Sequence, residues 1–137
     1  MELHNNVKVS RALSPVAAGT DNTAYVSQIL DTANFANNEL AILIGANTDA
    51  DATFTVLIEE GAAANLSDAA AVADADLLGT EAEASFDYSD DNETRKIGYI
   101  GNKRYIRATI TPANNAAGNI YIAAAWLQTG ARKAPVA

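Results

Sequence analysis

Alternation of apolar and polar positions dominates the chain and predicts strands. Residues 7–13, Val-Lys-Val-Ser-Arg-Ala-Leu, alternate and stop at Ser14-Pro15. A second run, 24–30, lies between Thr20-Asp21-Asn22 and Asp31-Thr32. Residues 40–44, Leu-Ala-Ile-Leu-Ile, are apolar throughout, the mark of a central strand covered on both faces. After a polar turn at 45–51, residues 53–59 place Phe54, Val56 and Ile58 on one face and Thr53, Thr55, Leu57 and Glu59 on the other.

In the last third, residues 95–100 and 103–111 are separated by Gly101-Asn102 alone. A Gly-first pair predicts a type II′ hairpin, because glycine accepts the positive φ at the first central position. Pro112 closes the second strand, and a turn at 114–118 leads into a run at 120–127, so the three runs predict an antiparallel meander. Between 61 and 91 the pattern weakens. Ser67 as N-cap and Asp68 in the first turn open a short helix over 67–73, with Val72, Leu77 and Leu78 as the only apolar anchors. Phe86 and Tyr88, two apart, predict one more short strand.

The fold class that follows is all-β: an antiparallel β-sandwich, jelly-roll-like, of seven to eight short strands with at most one short helix. Its core is expected to hold Leu40, Ile42, Ile44, Phe54, Val56, Ile58, Ile106, Ile110 and Trp126. No boundary or solenoid repeat divides residues 1–137, which read as a single domain. Residues 1–11 are either an extended N-terminal arm or the approach to a first strand at 7–13, and 131–137 are a C-terminal tail. The run at 120–127 is apolar on both faces: Ile120, Ile122, Ala124 and Trp126 on one, Tyr121, Ala123, Ala125 and Leu127 on the other. A sandwich strand needs one apolar face, so the second is expected to be covered by another chain, which predicts a homo-oligomer.

Composition narrows the chemistry. The 137 residues are 49% hydrophobic and 19% charged, an ordinary globular balance, although 30 of them are alanine and bury little area each. The absence of cysteine excludes a disulfide framework, a thiolate metal site and a Cys nucleophile, and a single histidine, His4, excludes His-based metal sites and a Ser–His–Asp triad. A formal charge of −8 argues against nucleic acid. No run reaches the ~20 apolar residues of a membrane helix. The N-terminal stretch with Glu2 and His4 does not read as a signal peptide, so a cytosol-like compartment is expected.

The charges fall in blocks. Between residues 12 and 94 there are 16 acids and no Lys or Arg; from 95 onward there are 7 bases and no acid. The two blocks can pair within one molecule, or present opposite patches that suit a head-to-tail ring of copies. Among chemical sites, calcium has the best candidates in Asp49 with Asp51, Asp74 with Asp76, and Asp90-Asp91-Asn92-Glu93, but none completes an EF-hand loop. A glycosidase would need two carboxylates across a cleft and an aromatic sugar platform, which Tyr105, Tyr121 and Trp126 could supply only if their strands face outward. Gly98 and Gly101 are followed by no helix, so no phosphate loop is present. The reading is therefore of a non-enzymatic protein with no cofactor.

The run Ile97-Gly98-Tyr99-Ile100-Gly101-Asn102-Lys103-Arg104-Tyr105-Ile106-Arg107, continuing through Thr109-Ile110-Thr111-Pro112, resembles a pattern in small structural proteins of tailed bacteriophages and prophages. The segments 52–58 and 66–79 resemble it too, and together they cover about half of the chain. The resemblance implies a virion protein, a capsid decoration (cement) protein in particular, β-rich and trimeric, sitting on the outer capsid surface and binding the major capsid protein after synthesis in the host bacterial cytoplasm. A neck or tail component of the same virion and a carbohydrate-binding module are the alternatives. The residues expected to contact the shell or other copies are Lys8, Arg11, Arg95, Lys96, Lys103, Arg104, Arg107, Tyr121 and Leu127.

Overall fold

In the computed structural model, residues 2–15, 19–116 and 119–136 are described. Met1, Ala117, Gly118 and Ala137, which belong to the expected arm, turn and tail, lie outside them. The described chain is an antiparallel β-sandwich of two sheets. In sheet A, β1 (Lys8–Leu13), β11 (Ile120–Ala131), β4 (Phe35–Asn47), β9 (Thr94–Tyr99) and β7 (Leu77–Leu78) lie in that spatial order. Sheet B has β10 (Tyr105–Ala113) and β5 (Thr53–Gly61) at its centre. Two short strands, β2 (Tyr25–Val26) and β3 (Leu30–Asp31), pair with β10 on its open side. Two more, β6 (Ala70–Ala71) and β8 (Phe86–Asp87), pair with β5.

The described chain therefore holds six strands of six or more residues and five of two residues, in place of seven to eight short ones. The 13-residue β4 and 12-residue β11 pair from Phe35↔Ala131 to Asn47↔Ile120. The run at 24–30 splits at Ser27, whose Oγ accepts from Ala108 N (2.9 Å) while its own N donates to Ala108 O (2.8 Å). That exchange carries the ladder across the gap between β2 and β3. Residues 7–13, weighed as arm or first strand, are strand from Lys8 on.

All nine expected core residues are buried, at 5% exposure or less. Leu40, Ile42 and Ile44 with Ile122 and Trp126 face Phe54, Val56 and Ile58 with Ile106 and Ile110. Phe54 stacks on Phe86 with ring centroids 5.0 Å apart. Trp126 Nε1 donates to Gln28 O (3.2 Å), so the largest core side chain leaves no polar atom unpaired. Beside it Gln128 Nε2, almost fully buried, donates to Asn38 Oδ1 (2.8 Å) and Asp31 O (3.1 Å).

Three expectations are corrected. Gly101-Asn102 does not form a hairpin: β9 belongs to sheet A and β10 to sheet B, and the meander is replaced by strands that cross from sheet to sheet. The connection 100–104 wraps the Tyr99 hydroxyl, which donates to Glu60 Oε2 (2.5 Å) and accepts from Lys103 N (2.9 Å). Ile100 N is taken by Asp76 O. With those partners the chain turns a corner, and Ile97 and Tyr99 face the core opposite β10 instead of lying beside it. Second, no helix forms at 67–73. Asp68 instead accepts from the backbone N of Ala62 (2.8 Å) and Ala63 (3.2 Å), which closes the 61–68 loop, and β6 follows. The one α-helix among the described residues, α1 (Glu81–Ala84), is a single turn capped by Thr80 Oγ1 on Glu83 N. Third, β4 is central in sheet A but covered on one face only, and Leu43 is 54% exposed.

Truncation of a core side chain has a predictable cost. Ile42→Ala should lower the unfolding free energy by about 2–5 kcal/mol with an unchanged urea m-value. The fluorescence of Trp126, the only tryptophan, reports the transition.

Candidate docking surface

In an antiparallel ladder, residues directly opposite one another point to the same face of the sheet. Because Leu40, Ile42 and Ile44 point inward, Glu39, Ala41 and Leu43 point out, and the register extends each into a row. One row reads Val9, Leu127, Glu39, Gly98 and Leu78 across β1, β11, β4, β9 and β7. The next reads Arg11, Ala125, Ala41 and Lys96, and a third Ala123, Leu43 and Thr94. Tyr121 stands beyond them, half exposed, next to Gly45.

The outer face of sheet A is therefore apolar over most of its centre. Val9 is 64% exposed, and Leu43, Leu78 and Tyr121 are exposed by half or more. Leu127 and the alanines 41, 123 and 125 are half-buried. The outer face of sheet B contrasts with it, pairing Thr55 with Thr111, Thr53 with Ala113 and Glu59 with Arg107. The row Leu57, Thr109 and Val26 also leaves apolar side chains on that face, Val26 54% exposed, so the two faces differ in degree.

Of the nine residues expected to make contacts, Arg11, Lys96, Tyr121 and Leu127 come together on this apolar face. Arg11 and Lys96 flank its middle row, and Arg11 also reaches Ser14 Oγ (3.2 Å). The other five lie elsewhere and are mostly engaged. Arg95 pairs with Glu93 (2.9 Å) and Asp90 (3.2 Å), and Arg107 with Glu59 (3.1 Å). Arg104 holds Asp31 through two nitrogens, both at 2.9 Å, which keeps that carboxyl below its ordinary range. Lys103 supplies its backbone N to Tyr99, and Lys8 lies over the Phe35 ring at 5.8 Å. Val9 and Leu43 were missed as surface residues. The signal for Leu43 was Glu39, four positions back on the same face of an alternating strand.

Four of the candidate calcium ligands are engaged in local structure. Asp91 accepts from Asn47 N (2.9 Å), Asp90 and Glu93 bind Arg95, and Asp49 accepts from Asp51 N (3.2 Å). A hydrogen bond between the Asp49 and Asp51 carboxyls raises the pKa of Asp51. Among the described residues no three His, Asp or Glu side chains converge as metal ligands. The sugar-platform candidates are dispersed: Trp126 is buried, Tyr121 lies on the outer face of sheet A, and Tyr105 is on sheet B.

No family model matches the chain, and no curated protein is significantly similar to it. Among solved structures, the PBSX exported protein XepA is similar with a TM-score of 0.49 and 16% identity, over 96% of this chain and 39% of that one. The CBM22-1–GH10 modules of Clostridium thermocellum xylanase 10B, complexed with xylohexaose, are similar with a TM-score of 0.44 and 8% identity, over 96% of this chain and 26% of theirs. This chain thus spans well under half the length of either.

Glu39 probes the outer face of sheet A. Burial raises its pKa above the usual 4.5, opposed in part by Lys96. A carboxyl raised by folding favours the native state at pH below its unfolded value and loses that advantage as pH rises through the folded value. Glu39→Gln should therefore stabilise the fold at neutral pH, by less than ~1 kcal/mol for so accessible a group and with a small rise in melting temperature, and the gain should disappear at about pH 3.

Proposed function

We propose that the protein is a non-enzymatic structural subunit of a tailed-phage virion, a decoration protein that binds the outside of the head shell as a homo-oligomer, a trimer as the sequence resemblance implies. The observation that carries the reading is the unpartnered apolar face of sheet A, and its occupant is the major capsid protein. Val9, Leu43, Tyr121 and Leu127 supply apolar area there, and Arg11 and Lys96 supply cations for acidic shell surface at its flanks. The rigid sandwich beneath holds these residues in fixed register, so docking orders few side chains. The net charge of −8 supports an outside position, since packed DNA repels an acidic protein.

Quantitative mass spectrometry of purified particles tests the assignment. A copy number comparable to that of the major shell protein is expected; a single ring's worth would favour the neck or tail, and absence from the particle would overturn the reading. The docking face is tested by adding purified subunits to undecorated heads. Leu43→Glu and Tyr121→Glu should each reduce head binding by ~10-fold or more while leaving thermal unfolding within ~1 kcal/mol of the parent, because both side chains are exposed.

A further inference from the structure

Some charges at the two ends of the sandwich are paired within the molecule, and others are not. Strand β4 runs the full height of the sandwich, from Phe35 to Asn47, a span of about 40 Å for 13 residues. At the Asn47 end, the loop 47–52 and the turn 87–91 lie side by side. Asn47 N donates to Asp91, Tyr88 N to Ala52 O, and Asp87 is opposite Thr53. Asp49 and Asp51 lie on the first segment and Asp87, Asp90 and Asp91 on the second, with Glu93 just beyond, and Arg95 pairs with Asp90 and Glu93. The turn is stiff, because Asp87 Oδ1 accepts from both Ser89 N and Ser89 Oγ while Asp87 N donates to Asp90 Oδ2. Tyr88 lies in it, 43% exposed and flanked in the sequence by Asp87 and by Asp90-Asp91.

At the Phe35 end, beside acids that include Asp31, one corner is cationic. An open pocket of about 540 Å³ is lined by Asn34, Phe35, Ala131, Arg132, Lys133 and Val136. Arg132 N donates to Asn34 O, which fixes the pocket wall, and Lys8 sits over the Phe35 ring. Arg132 and Lys133 are exposed, and no salt bridge among the described residues uses them. An apolar floor with a cationic rim is complementary to an aromatic residue flanked in the sequence by carboxylates.

We propose that this pocket receives the 87–91 turn of a second copy of the chain, with Tyr88 as the inserted side chain and Arg132 and Lys133 facing Asp87, Asp90 and Asp91. One molecule cannot close this contact on itself, since its own turn lies at the far end of β4. The contact is head-to-tail, so successive copies close into a ring when the rotation permits and otherwise extend into a filament. It names the copy-to-copy surface of the homo-oligomer proposed above and rests on that part of the reading. It leaves the outer face of sheet A free for the shell.

The test is self-association of the full chain, measured by light scattering and sedimentation, which needs no virion and so fails separately from the particle assignment. An oligomer is expected at about 0.01 M ionic strength, where the Debye length is ~30 Å, with weakening at about 1 M, where it is ~3 Å. Tyr88→Ala, and separately Arg132→Glu with Lys133→Glu, should each weaken association ~10-fold or more while circular dichroism and melting temperature stay those of the parent. Mixing the two variants should restore one contact, the intact turn of one entering the intact pocket of the other, and yield a 1:1 heterodimer. A monomer under all conditions, association that survives both substitutions, or two monomeric variants that fail to pair on mixing would each overturn the proposal.

Discussion

Side chains of a β-strand alternate, and in this protein that constraint acts through the pairing of β4 with β11. The two longest strands lie against each other at the centre of sheet A from Phe35↔Ala131 to Asn47↔Ile120. Once Leu40, Ile42, Ile44, Ile122 and Trp126 are committed to the core, Ala41, Leu43, Tyr121, Ala123 and Leu127 have nowhere to point but outward. The exposed apolar face is therefore no local accident of a loop. A slip of one residue would carry the core set to the surface, so the face persists for as long as the fold does. The buried Gln128–Asn38 hydrogen bond reinforces the register, since neither amide finds its partner in any shifted pairing.

The block pattern of charge acquires a geometric meaning in the sandwich. The acidic middle of the chain supplies β5 and the loops around it, and the basic last third supplies β9 and β10. Where these elements adjoin, acid and base meet directly, as Glu59 with Arg107 across β5 and β10, and Asp31 with Arg104 beside β3. Such exposed pairs contribute little stability each.

The core and the sandwich were readable because both rest on period-two alternation, which is local: every expected core residue from Leu40 to Trp126 is buried. What escaped was set by distant partners. Gly101-Asn102 carries a hairpin signature, but the hydroxyl of Tyr99, held by Glu60 and Lys103, turns the chain into the other sheet. Nothing within a few residues of Gly101 announces Glu60. Ser67-Asp68 looks like the start of a helix, yet Asp68 spends its carboxylate on Ala62 and Ala63, upstream in the chain. The outer-face residues Tyr121 and Leu127 were legible because β11 is apolar on both faces. Leu43 was not, because an all-apolar run reads as doubly buried until the neighbouring Glu39 is placed on the same side.

The crossing of the chain between sheets bears on how the protein comes off the ribosome. Neither flank of β4 can be bonded early: β9 and β11 are made 50 and more residues later, and β1 reaches sheet A only through β11. Until residues 120–131 emerge, the nascent chain holds a long apolar strand with open edges, a template for aggregation. Over the same interval its exposed length from 12 to 94 bears only negative charge. Neighbouring nascent chains thus repel one another through the period when sticking would be most damaging, and the neutralising arginines and lysines arrive with the strands that complete the sheets.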